Sequence, residues 1–160
     1  MALTDYSSME NEIENAPEPT VLKKGTEVKV RIIAVRTGTV EKEESAYLGC
    51  DYFSVTFEAS DEPLAKEFSD FFWDLNNKGK ISEKSYLRAL RHFRNFAEAF
   101  ELDYSKPFDL EDDLVGLVGW VIVGIQKDDE YGDKNTVSKY VAGRKGSKNS
   151  SVCDVDEPPF

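Results

Sequence analysis

One segment of this chain carries a helical signature, and its place among extended segments restricts the fold more than any other feature. Tyr86, Leu90, Phe93, Ala97 and Phe100 recur at alternating steps of four and three, which draws one apolar stripe along a helix. Ser82 stands just before them as an N-cap, its hydroxyl suited to accept a first-turn amide proton. Lys84, Arg88, Arg91 and Asn95 lie opposite the stripe. A lone amphipathic helix must bury its stripe against other elements, and the rest of the chain offers strands.

Three extended segments precede the helix. After a turn at Lys23-Lys24-Gly25, Val28, Val30 and Ile32 alternate with Lys29 and Arg31, the period of a strand with one buried face. Gly38 and the charged stretch 41–44 form a connecting loop. Segment 47–58 sets Phe53, Val55 and Phe57 on one face and Tyr52, Ser54 and Thr56 on the other. A turn at Asp61-Glu62-Pro63 leads to an aromatic run over 68–75, a third strand that Asn76-Asn77-Lys78-Gly79 ends. After the helix, an acidic turn over 109–114 precedes segment 117–125, apolar on both faces and therefore expected to be central. A loop over 127–134 and a fifth strand over 135–141 follow.

The expected fold class is mainly β, a β-barrel with one helix, in the order β-β-β-α-β-β. That order matches the five-stranded OB-fold, in which a helix plugs one end of a partly open barrel between strands three and four. Other small β-rich folds share it. Residues 1–19 hold five acids, no base and two prolines, the composition of a flexible acidic arm. Residues 20–145 form the expected domain, and 146–160 a disordered acidic tail joined through Gly146-Ser147-Lys148-Asn149-Ser150-Ser151.

A net charge of −11 argues at first against nucleic acid, because phosphate binding uses Lys and Arg. The two ends carry −5 and −2 of it, so the body stands near −4 and can hold a local basic stripe. The longest apolar run, 115–125, is interrupted by Gly116, Gly119 and Gly124 and falls short of a membrane span. The N-terminus has neither a basic start nor an apolar segment, so cytoplasmic residence is expected, in a host cell if the chain is phage-encoded. Cys50 and Cys153 read as free thiols.

A barrel that binds single strands needs aromatic faces for bases and cations for phosphates. Tyr47, Tyr52, Phe71, Phe72 and Trp73 fall on the second and third strands, and Tyr131 and Tyr140 on the last loop and strand. Interleaved with them are Lys29, Arg31, Arg36, Lys134 and Lys139. The candidate nucleic-acid contacts are Lys29, Arg31, Arg36, Tyr47, Tyr52, Phe72, Trp73, Tyr131, Lys134, Asn135, Lys139 and Tyr140. Period two forces some of these aromatics inward, so core and stacking roles both stay open for each.

The fragment Tyr131-Gly132-Asp133-Lys134-Asn135-Thr136-Val137-Ser138-Lys139-Tyr140 puts a glycine where a backbone could approach a ligand, with Lys and Asn as donors. An ordinary hairpin with solvated lysines would look the same. Together with "LVGLVG" and "KKGTEVKVRI" upstream, it resembles a family of small phage proteins with a Y-x-x-K-N-x-V-x-x-Y motif, over roughly residues 21–142. The resemblance implies phage single-stranded DNA binding in replication, recombination or repair. The ending Asp154-Val155-Asp156-Glu157-Pro158-Pro159-Phe160 is similar to the acidic C-terminal peptide of bacterial single-stranded DNA-binding proteins. It departs from that pattern in having fewer acids, Val155 among them, and Pro159 directly before Phe160.

In such a tail Phe160 would fill an apolar pocket, its carboxylate would meet a base, and Asp154, Asp156 and Glu157 would steer the encounter. Pro158 and Pro159 would keep the end extended. The expected partners are single-stranded DNA and, through the tail, replication or recombination proteins, with homo-oligomerisation left open. The other reading is an adaptor that binds a host replication or transcription protein without nucleic acid. No cofactor, metal or catalytic set is expected. His92 has no evident partner in the sequence, and the acids at Asp112-Asp113 and Asp128-Asp129-Glu130 read as cap and loop charges.

Overall fold

The longest strand organises the sheet. In the computed structural model, which describes residues 2–130 and 132–143, β1 (Glu27–Thr39) pairs antiparallel with β2 (Asp51–Ala59) on one side and β4 (Val118–Gln126) on the other. Between β2 and β4 the chain forms β3 (Phe68–Trp73), a 3-10 turn at Leu75–Asn77, and the helices α2 (Glu83–Phe100) and α3 (Leu110–Leu114). It ends in β5 (Lys134–Val141). The result is mainly β: one antiparallel five-stranded open sheet in the order β3-β2-β1-β4-β5. The edge strands β3 and β5 lie close together, so the sheet curls on itself.

Two bulges decide which side chains face inward. Val28, Val30 and Ile32 are buried, and a register shift between Ile32 and Ala34 then switches the parity so that Val35 is the next buried residue. Arg36 thereby joins Lys29 and Arg31 on the outer side, where strict alternation would have turned it inward. In β5 a second shift skips Ser138, so Val137 faces Val123 while Tyr140 faces Val121. Both of those partners are fully buried.

The sheet's inner face and α2 share the core. Phe53, Phe57, Phe68 and Phe72 come from β2 and β3, and Phe93, Phe96, Ala97 and Phe100 from the helix. Ser82 caps α2 by accepting from the Ser85 amide at 3.1 Å, as its position before the helix predicts. The buried stripe is rotated from the expected one. Ala89 and Phe96 are interior, while Tyr86 is half-buried and Leu90 exposed. Gly119 lets helix and sheet meet this closely, since a Cβ there would stand 2.9 Å from the Ala99 carbonyl and from the Phe100 ring.

Ahead of β1, Thr20 forms an isolated parallel bridge with Ala65. Before it, Ser7–Met9 and α1 (Glu10–Glu14) form short helical turns with no buried residue. The expected turn over 109–114 is instead α3, capped by Asp109, whose carboxylate accepts from the amides of Glu111 and Asp112. Among the described residues no helix is long and apolar enough to cross a membrane.

Candidate nucleic-acid interface

The outer face of β1, β2 and β3 is laid out by register. Gly38 stands opposite Tyr52 and Tyr52 opposite Trp73; one step along, Arg36, Ser54 and Phe71 align; then come Ala34, Thr56 and Ser69. On this face Tyr52 stacks on Phe71 at 5.3 Å between ring centroids, and Phe71 meets Trp73 edge-on at 4.9 Å. Trp73 in turn lies 4.9 Å from Tyr47, which the β1–β2 loop contributes. Four rings thus form a continuous outer cluster, with Phe71 46% and Tyr47 39% exposed.

Gly38 is part of the construction. A Cβ there would lie 2.6 Å from the Tyr52 hydroxyl oxygen and 2.7 Å from its Cζ, so the ring lies flat across β1 only because the side chain is missing. Arg36, exposed beside this ring, has no acidic partner among the described residues. Each contact between rings adds about 0.5–1.5 kcal/mol beyond burial and holds the cluster in one arrangement.

Tyr47, Tyr52, Trp73 and Arg36 are therefore brought together as expected, and other candidates are not. Phe72 is 1% exposed, stacked between Phe53 at 5.0 Å and His92 at 4.2 Å, and has no face left for a base. It could not have shared an outer face with Trp73, since adjacent strand residues point to opposite sides. Phe71, two residues before Trp73, is the aromatic that does so. The signal was in the pairing, because Phe72 lies opposite the inward Phe53.

Asn135 is likewise interior. Its Oδ1 accepts from the Leu22 amide at 2.8 Å, and its Nδ2 donates to the carbonyls of Leu22 and Gly124 at 2.9 and 3.0 Å. These bonds tie the incoming chain to the sheet and leave no donor for phosphate. Tyr140 points inward among Phe57, Phe96 and Phe100, with its hydroxyl donated to Asp70 Oδ2 at 2.5 Å. Burial, then the Asp70 charge and this hydrogen bond, push the Tyr140 hydroxyl well above the usual tyrosine range.

The same Asp70 oxygen lies 2.7 Å from His92 Nε2, so the histidine has a carboxylate partner that its sequence neighbours did not suggest. Asp70 is an inward acid on an edge strand, joined to α2 and β5 through these contacts. Such a charge also discourages the edge from pairing with another chain.

The remaining cations are dispersed. Arg31 pairs with Glu58 across the strands at 2.6 Å, and Lys29 lies opposite Trp120, roughly 20 Å along β1 from Arg36. Lys134 and Lys139 are exposed on β5, opposite Gln126 and Ile122. Tyr131 and the tail residues Asp154, Asp156, Glu157, Pro158, Pro159 and Phe160 lie outside the described residues. Asp128 accepts from the Glu130 amide, and among the described residues no group of three or more His, Cys, Asp or Glu is arranged to hold a metal.

Comparisons with family models, with curated proteins and with solved structures each returned no match.

Proposed function

We propose that this chain is a single-stranded DNA-binding protein of OB type, and the outer aromatic cluster of Tyr47, Tyr52, Phe71 and Trp73 beside Arg36 carries that reading. Bases stack on such rings for about 1–3 kcal/mol each and without regard to sequence, because every base has a π-face. Arg36 supplies a cation at the same face for the phosphates that run between stacked bases. The sheet order, with β3 brought near β5, supports the OB assignment, and in OB proteins strands two and three line the binding face. The tail peptide at 154–160 would recruit partner proteins, and the acids of tail and N-terminal arm need not lie on the cationic part of the face.

Trp73 and Trp120 are the two tryptophans of the chain, so a Trp120→Phe variant isolates the fluorescence of the cluster. Titration with oligothymidylate should quench Trp73, with micromolar or tighter affinity that falls steeply with salt, while duplex of the same length binds far more weakly. Absence of quenching, or equal binding of duplex, would overturn the reading. The adaptor alternative draws on the net charge of −11 and on the pairing of Arg31 with Glu58. It gains if the cluster captures protein and not oligonucleotide.

A further inference from the structure

The aromatic cluster does not stop at the edge of the sheet. Between β3 and the first half of α2 lies a cleft of about 330 Å³ lined by Tyr47, Phe71, Trp73, Ser85, Arg88 and His92. One wall is therefore the ring face of the proposed binding surface, and the other is the solvent side of a helix. Residues 84–97 hold four cations, Lys84, Arg88, Arg91 and Arg94, and no acid, in a chain whose acids outnumber its bases 31 to 20. Arg88 is exposed and has no acidic partner among the described residues. His92 is held against Phe72 and by Asp70, which gives the cleft a fixed floor.

We infer that this cleft is a nucleotide subsite that carries the path of the strand off β3 and onto α2. A base would lie against Trp73 and Phe71, with its phosphate at the Arg88 guanidinium. The volume suits one nucleotide, and the pairing of ring faces with an unpartnered arginine is the complement of a base joined to a phosphate. The expected helical stripe left this face as a solvated one, because nothing in the spacing of Lys84, Arg88 and Arg91 reveals that Arg88 lines a cleft with Phe71 and Trp73. The inference rests on the reading of the outer face as a single-strand site.

The test uses the full chain with Trp120→Phe as background and oligothymidylate as probe. Arg88→Gln, at an exposed position without an ion pair among the described residues, should lower affinity about five- to tenfold and reduce the steepness of log K against log salt by about 0.7, the release from one single-strand phosphate. Arg91→Gln removes the same charge one turn on, outside the cleft, and should change affinity less than about twofold. If Arg88→Gln binds as tightly as the parent, or both variants lose equally, the subsite is refuted while single-strand binding stands. If the parent itself does not bind, the reading of the outer face falls and the subsite with it.

Discussion

Replacing Tyr140 by phenylalanine takes one oxygen from the seam between β3 and β5. The ring packs on Phe57, Phe96 and Phe100 and would still do so, so the loss is confined to the hydroxyl and its bond to Asp70 Oδ2. Hydrogen bonds to charged groups contribute about 1.5–3 kcal/mol. The Asp70 side chain retains 19% exposure and keeps His92 as a partner, so water recovers part of that, and about 2 kcal/mol is the expected cost. For a domain of this size that is a fall in Tm of about 4–8 °C.

The pH dependence gives a second, independent signature. Burial, the Asp70 charge and the hydrogen bond all raise the Tyr140 pKa above its ordinary 10.0, so the folded state favours the protonated hydroxyl. The stability it contributes is complete below that ordinary value and is lost as pH rises through the higher folded value. Thermal or guanidinium unfolding of parent and Tyr140→Phe, at neutral pH and across the alkaline range, should show the two curves converging as the solution becomes more basic. Oligonucleotide affinity at neutral pH should not change, because the ring faces the core. A neutral-pH difference below about 0.5 kcal/mol, or a gap that stays constant into the alkaline range, would refute the role of the seam. A loss of DNA affinity with no loss of stability would return Tyr140 to the binding face.

Three further outcomes follow from the inward and outward sides of the sheet. Phe72→Ala should cost about 3–5 kcal/mol in denaturant unfolding, whereas Phe71→Ala, which loses two ring contacts at a half-exposed position, should cost about 1–3 kcal/mol and weaken oligothymidylate binding at least about fivefold. Gly38→Ala should displace the Tyr52 ring and lower affinity a few-fold, while the melting temperature changes little, since the lower unfolded-state entropy of alanine offsets much of the lost Tyr52–Phe71 contact. Deleting residues 147–160 should tighten single-strand binding most visibly at low salt, if the acidic tail competes with DNA for the cationic face; unchanged affinity in a filter or fluorescence titration would remove that competition.

Much of the architecture was legible because it follows from local rules. The alternation of Val28, Val30 and Ile32, and of Phe53, Val55 and Phe57, specified strands and their buried sides, and Ser82 marked the start of α2. The same rule, applied across Phe71, Phe72 and Trp73, separates Phe72 from the outer face. Aromatic character alone does not distinguish a stacking platform from a core wedge, because both burial and base stacking favour the same rings.

Tertiary structure decided what period two could not. The shift after Ile32 returned Arg36 to the outer face, and the skipped Ser138 turned Asn135 and Tyr140 inward together, although strict alternation would have set them on opposite sides. Whether an extended run bulges depends on how its neighbours pair, and that information is not carried by the run itself. The partnership of Asp70 with His92 and Tyr140 is a contact across 22 and 70 residues, created only when β3, α2 and β5 meet. By itself, then, the sequence determined the strands, the long helix, the inner residues of β2 and of the first half of β1, and the acidic composition of the ends, all set by spacing or content along the chain. The fold alone chose which aromatics and cations share a surface, because that depends on register and curvature between segments far apart in the chain.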